Sequence, residues 1–150
     1  MSGHLPVRIR AAMTADTEAI LALWRVVFPE YDLATAPQRD PRTSIARKLA
    51  FGDGRFWVAV LKDGPDERIA GTVMSGYDGH RGWIYSLGVH PDVRRGGIAS
   101  ALLAHAEAEL RAAGCPKVNL QVLAGNERAL AFWAAAGYAG DQVLSLGKRL

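Results

Sequence analysis

The spacing of apolar and polar residues changes several times along the chain, and each change marks an element. Val7-Arg8-Ile9-Arg10 alternates, as a short half-buried strand does. Ile20, Leu23, Trp24 and Val27 then recur at helical spacing behind Asp16 and Glu18, with Thr14 as the expected cap and Pro29 as the stop. Residues 30–38 read as irregular, with Pro37 near their end. Asp40-Pro41 supplies an N-cap and a first-turn proline for a second helix through Ile45, Leu49 and Phe51. Residues 56–61 show almost no polar alternation, which predicts a central strand. The turn cluster at 62–67 leads to a partner strand at 69–74, and the Asp78-Gly79 tip leads to a further strand at 83–89. A long helix to about Ala113 ends at Gly114, and a fifth strand is expected at 118–122. Asn126 opens a helix carrying Leu130, Phe132 and Trp133, Gly137 closes it, and residues 142–146 read as a last strand. Hairpins followed by helix, strand, helix and strand predict an α/β fold with a mixed sheet.

The stretch Tyr85-Ser86-Leu87-Gly88-Val89-His90-Pro91-Asp92-Val93-Arg94-Arg95-Gly96-Gly97-Ile98-Ala99-Ser100 carries the most chemistry. A strand is stopped by Pro91, a basic glycine turn follows, and Ile98, Leu102, Ala106 and Leu110 begin a helical stripe. The first N–H groups of such a helix have no carbonyl partner, and the helix dipole adds to their pull on an anion. Two glycines let a phosphate approach the backbone, and Arg94 and Arg95 add forked donors. The alternative reading is a glycine-softened loop with two solvated arginines; the strand before and the helix after favour the phosphate.

Composition narrows the class without naming the chemistry. A chain of 150 residues suits one domain, 1–150, with a proper core. A net charge of +3 is too slight for a nucleic-acid surface. The single cysteine, Cys115, excludes an internal disulfide and fits a reducing compartment. With charges at Arg8 and Arg10 and apolar runs too short for a bilayer, a cytoplasmic protein without membrane or nucleic-acid partners is expected.

Arg94-x-x-Gly97-x-Ala99, preceded by Leu87-Gly88-Val89-His90-Pro91, resembles the acyl-CoA loop of the GNAT superfamily of N-acetyltransferases. Gly76-Tyr77-Asp78-Gly79-His80-Arg81-Gly82, Gly114-Cys115-Pro116-Lys117 and the tail Leu144-Ser145-Leu146-Gly147-Lys148-Arg149-Leu150 extend the likeness to the YpeA-like bacterial subgroup. The resemblance implies a mostly antiparallel sheet with splayed strands and about four helices. It also implies acetyl-CoA as co-substrate, no metal, and a primary amine as acceptor. The pantetheine arm would pair with the backbone of Leu87, Gly88 and Val89, with the Val89 N–H on the thioester carbonyl. The diphosphate would lie on the N–H groups of Arg95, Gly96, Gly97, Ile98, Ala99 and Ser100. Asn126 matches the family asparagine beside the cofactor arm, and serves equally as an N-cap. Gly88 suits a kinked or bulged strand, or simple packing. Residues 30–38 would cover the acceptor side, with Glu30, Tyr31 and Asp32 offering either an acidic rim or a solvated loop.

The chain departs from the family at two catalytic positions. Seven residues after the asparagine, where many members carry an acidic tyrosine, stands Trp133, whose indole N–H is no useful acid. It is expected to line the cofactor or to pack in the core. Gln121 stands where related ribosomal-protein acetyltransferases carry a glutamate base. Tyr85, on the cofactor strand, is a candidate proton donor, although alternation also allows it to face the core. His80, beside Asp78 at a hairpin tip, is a candidate base, with a solvated turn as the alternative. Tyr138 is read as packing. These gaps keep open a non-catalytic acyl-CoA-binding protein of regulatory or structural role. The acceptor stays open, as do monomer and homodimer.

Overall fold

The computed structural model describes residues 6–31 and 40–150. Asp32, Pro37 and the rest of the predicted acceptor loop from 32 to 38 therefore lie outside the described residues. The chain divides into two compact units, Met1–Leu120 and Gln121–Leu150.

In the first unit, five strands form one sheet in sequential order: β1 (Val7–Ala11), β2 (Phe56–Asp63), β3 (Asp66–Tyr77), β4 (Gly82–Val89) and β5 (Val118–Asn119). The first four are antiparallel to their neighbours and β5 runs parallel to β4, which is the mixed sheet expected. Residues 56–61 are buried because β2 has a strand on either side and helices on both faces.

One face carries α1 (Thr17–Val27) and α2 (Pro41–Phe51). Ile20, Leu23 and Trp24 are buried there with Ile45, Phe56, Val58, Val60 and Met74. Asp40 caps α2 as predicted, its Oδ1 accepting the Arg42 N–H at 3.0 Å. Thr14 does not cap α1. It begins a 3₁₀ turn, Thr14–Asp16, and the Asp16 carboxylate instead accepts the Met13 N–H at 2.8 Å. Arg10 grips the same carboxylate with both terminal nitrogens, at 2.8 and 2.9 Å.

The opposite face carries α3 (Ile98–Ala112), whose Ile98, Leu102, Ala106 and Leu110 are buried at the predicted spacing. In the second unit, α4 (Glu127–Ala135) begins at Asn126 and gives way to Gly137 in the left-handed region (φ +93°). Two strand predictions are corrected. The fifth strand stops at Asn119 rather than reaching 122, and residues 142–146 form none. Apolar β-formers need a neighbouring backbone to pair with. Within its unit this tail has only α4, and a side-chain bond between Gln121 and Ser145 in place of a ladder.

Candidate active site

Antiparallel pairing lets the direction of each β4 backbone group be worked out. Ser75 gives its N–H to Arg55 on the β2 side, at 2.9 Å, so its β4 partner Ile84 turns its own N–H and C=O away from β3. Gly82 also points outward, and its N–H donates to Lys117 O at 2.9 Å beside β5. In a regular strand the outward set would continue as Ser86 and Gly88. It does not. The register slips by one residue between Thr72 and Met74, and Ser86 sits at φ +50°, a rare conformation for a side-chain-bearing residue. Beyond this bulge the bonded pair is Ala70 with His90, whose N–H reaches Ala70 O at 2.8 Å. Val89, paired with Gly71, therefore turns its N–H and C=O outward.

That outward edge is open. Among the described residues β5 accompanies β4 only at Gly82 and Trp83, so its pairing ends before Leu87, Gly88 and Val89 are reached. The bulge lies at Ser86 and Leu87 rather than at Gly88. Gly88 is a packing glycine, since a Cβ there would stand 2.6 Å from Val27 and 2.7 Å from the Phe28 ring, at the end of α1.

A second short turn, Pro91–Val93, links this strand to the basic loop. Asp92 accepts from Arg68 of β3 and pairs with the His90 ring at 2.8 Å; the Arg68 bonds in particular hold its carboxyl below the usual carboxylate range. Arg94 folds back, its Nε donating to the outward Val89 carbonyl at 3.2 Å. Arg95 (φ +71°) and Gly97 (φ +79°) are both left-handed, flanking the buried Gly96. Alternation of this kind turns successive N–H groups toward one concavity. Gly97 caps α3 without a side-chain bond, and the first helical bond is Ala101 N–H to Gly97 O at 3.0 Å. The N–H groups of Ile98, Ala99 and Ser100 precede that bond, so they are the helix's end donors. Loop, dipole and open strand edge thus share one unit and one stretch of chain.

Tyr85 lies on the core-facing side of β4 without being buried in it. It shares a face with Met74, its cross-strand partner, is half exposed, and stacks on Trp83 with ring centroids 6.4 Å apart. Partial burial, helped by the Asp78 charge, pushes its phenol above the ordinary value, so it remains a proton donor at neutral pH. His80 lies at the exposed hairpin tip. It meets Asp78 through its backbone, whose N–H donates to Oδ1 at 2.7 Å as does that of Arg81. Those two bonds hold the Asp78 carboxyl below its usual range. In the α1 region, Tyr31 stacks on Trp24 at 5.3 Å and so belongs to the core rather than to an acidic rim, whereas Glu30 keeps one buried carboxylate oxygen unbonded among the described residues.

Asn126 and Trp133 lie in the second unit. Asn126 caps α4, its Oδ1 accepting the Ala129 N–H at 3.1 Å. Trp133 meets Phe132 and Tyr138 edge-on, at 5.2 and 5.0 Å.

Three residues of the strand geometry were not found from sequence. They are Ser86, Thr72, whose hydroxyl donates to Ser86 O at 2.9 Å, and Trp24, whose indole donates to Thr72 at 2.9 Å. A threonine inside the apolar run of β3 was the available signal, because a buried hydroxyl needs a partner.

Residues 18–138 match the model of the acetyltransferase (GNAT) family. The PaiA N-acetyltransferase of Thermoplasma acidophilum, solved in complex with coenzyme A, superposes with a TM-score of 0.79 at 16% identity, over 93% of each chain. The ribosomal-protein-S18-alanine N-acetyltransferase of Escherichia coli gives 0.70 at 20% identity, over 88% of this chain and 77% of that one. AAC(6')-Iy, in complex with a bisubstrate analogue of CoA and acetylneamine, gives 0.69 at 17% identity, over 97% of this chain and 99% of that one. The structural likenesses establish the fold, and the family match covers most of the sequence. The chain belongs to the GNAT family of acetyltransferases.

Proposed function

We propose that this protein moves an acetyl group from acetyl-CoA directly to a primary amine. The observation that carries the reading is the outward Val89 N–H on an unpaired strand edge, in the same unit as the end donors of α3. A pantetheine arm is an extended amide chain, and the strand edge from Leu87 to Val89, where Val89 turns its backbone outward, is suited to pairing with it. The diphosphate would occupy the N–H groups from Arg95 to Ser100. Asn126 and Trp133 would meet the arm, a role supported by the family resemblance. The YpeA-like subgroup rests on the Gly76-to-Gly82 hairpin, the Gly114-Cys115-Pro116-Lys117 turn and the C-terminal tail.

In the reaction the neutral amine attacks the thioester carbon, a C–N bond forms and the C–S bond breaks. Negative charge gathers on the carbonyl oxygen, where a fixed N–H at Val89 stabilises it without reorganising. The departing sulfur takes a proton, and the protonated Tyr85 phenol is our candidate donor. His80 is the candidate for removing the amine's surplus proton through water. A protein α-amine and a small-molecule amine are the acceptor classes that the neighbours' names suggest.

The test begins with the coenzyme. Each charge-assisted bond to a phosphate contributes about 1.5–3 kcal/mol, so several together outweigh any single arginine. Gly97→Glu is expected to abolish acetyl-CoA binding in calorimetry, whereas Gly97→Gln, with the same backbone strain and no charge, only weakens it. Normal binding by Gly97→Glu refutes the loop. Mass spectrometry of an amine panel incubated with acetyl-CoA then identifies the acceptor.

A further inference from the structure

We infer that Thr72 is a positioning residue for acetyl transfer, whose hydroxyl, oriented by the Trp24 indole, holds the bulge that turns the Val89 N–H to the open edge. The inference rests on the reading of Val89 as the donor to the thioester carbonyl. An indole N–H can only donate, so Thr72 Oγ1 must accept from Trp24 at 2.9 Å. The single hydroxyl proton is thereby left for the Ser86 carbonyl, also at 2.9 Å. Trp24 and Thr72 are both fully buried, so neither can exchange its partner for water. The bond holds the carbonyl of the one β4 residue that sits at positive φ.

The consequence follows from strand parity. Counting from Ile84, a regular strand would send Ser86 and Gly88 outward and turn the Val89 N–H inward against β3. The one-residue slip reverses this, and with it the face on which Gly88 meets Val27 and Phe28. A side chain that touches neither substrate therefore selects which amide reaches the reacting carbonyl.

The test uses the full chain with Thr72→Val, which keeps the side-chain shape and removes the hydroxyl, beside wild type and Thr72→Ser. In the free protein, Ser86 Cα and carbonyl chemical shifts report the left-handed backbone. With acetyl-CoA labelled at the carbonyl carbon, the infrared stretch of the bound thioester reports its hydrogen-bond donor. The valine variant is expected to lose both signatures while its coenzyme A dissociation constant stays within about threefold of wild type. The serine variant is expected to keep both. Left-handed Ser86 shifts that persist in Thr72→Val, or a serine variant that behaves like valine, overturn the inference. A wild-type thioester band that does not move on binding overturns the Val89 reading instead, and the Ser86 shifts still judge Thr72. Should Thr72→Val not fold, Thr72→Ala, which removes the same hydroxyl, takes its place with the same outcomes.

Discussion

Gly88 is the position where one added methyl group should be felt most. A Cβ there would lie 2.6 Å from Val27 Cγ1 and 2.7 Å from Phe28 Cζ, against an ordinary contact distance of 3.4 Å or more. Both neighbours must retreat by about 0.7–0.8 Å, and both sit at the end of α1. Phe28 has little room to yield, since its ring meets Trp24 at 5.9 Å and Tyr31 at 6.0 Å, both edge-on. Moving β4 instead would stretch its ladder to β3. Overpacking of this kind costs about 1–3 kcal/mol. At about 2–4 °C per kcal/mol for a chain of this length, Gly88→Ala should lower the melting temperature by roughly 2–12 °C. The control is Gly76→Ala on the neighbouring strand, where an added Cβ meets nothing within 4 Å. Thermal unfolding followed by circular dichroism decides. A Gly88→Ala midpoint within about 1 °C of wild type, or an equal loss in Gly76→Ala, refutes the packing argument.

Asp16 should make stability pH-dependent. The Arg10 hydrogen bonds hold its carboxyl below the ordinary range, so its contribution is complete above the unfolded value near pH 4 and is lost as pH falls through the lower folded one. Asp16→Asn should therefore cost about 1–3 kcal/mol in urea unfolding at pH 7, a difference that closes in acid; a gap that does not narrow below about pH 4 refutes the assignment. Tyr85→Phe is expected to lower the turnover of whichever amine the panel identifies by about 10²-fold, with acetyl-CoA affinity little changed. Because the phenol lies above its ordinary value of about 10, wild-type turnover should show no loss of this donor below that pH. A Tyr85→Phe enzyme of full activity leaves the proton to solvent.

Much of the fold was legible because local pattern and tertiary environment agree. Residues 56–61 read as a central strand since both faces of β2 are covered, and the stripe from Ile98 to Leu110 read as a helix because that face alone is buried. Asp40-Pro41 is a cap whose chemistry is wholly local. The turn ahead of α3 was legible for the same reason, from its glycines and the helix behind them. What escaped depends on a second strand. Residues 142–146 have a strand-forming composition, and pairing is not written in composition. Thr14 lost the cap position of α1 to Asp16, whose carboxylate Arg10 of β1 holds. Ser86 carries no signal at all, since serine seldom adopts a left-handed backbone; its conformation comes from Thr72 on β3 and Trp24 on α1. Of the two readings open for Gly88, packing is the one the structure supports. Its missing side chain admits a helix end, while the bend lies two residues earlier.

The Arg94 side chain spans the distance between the two halves of the candidate site. It leaves the loop that would cradle the phosphates and reaches the carbonyl of Val89, the residue proposed to meet the thioester. Loop and strand are thereby tied by the protein's own bond. Because the protein makes that brace itself, a truncated thioester lacking the nucleotide end, such as acetyl-pantetheine, should lose grip and keep its aim, its reactivity falling no further than its weaker binding explains.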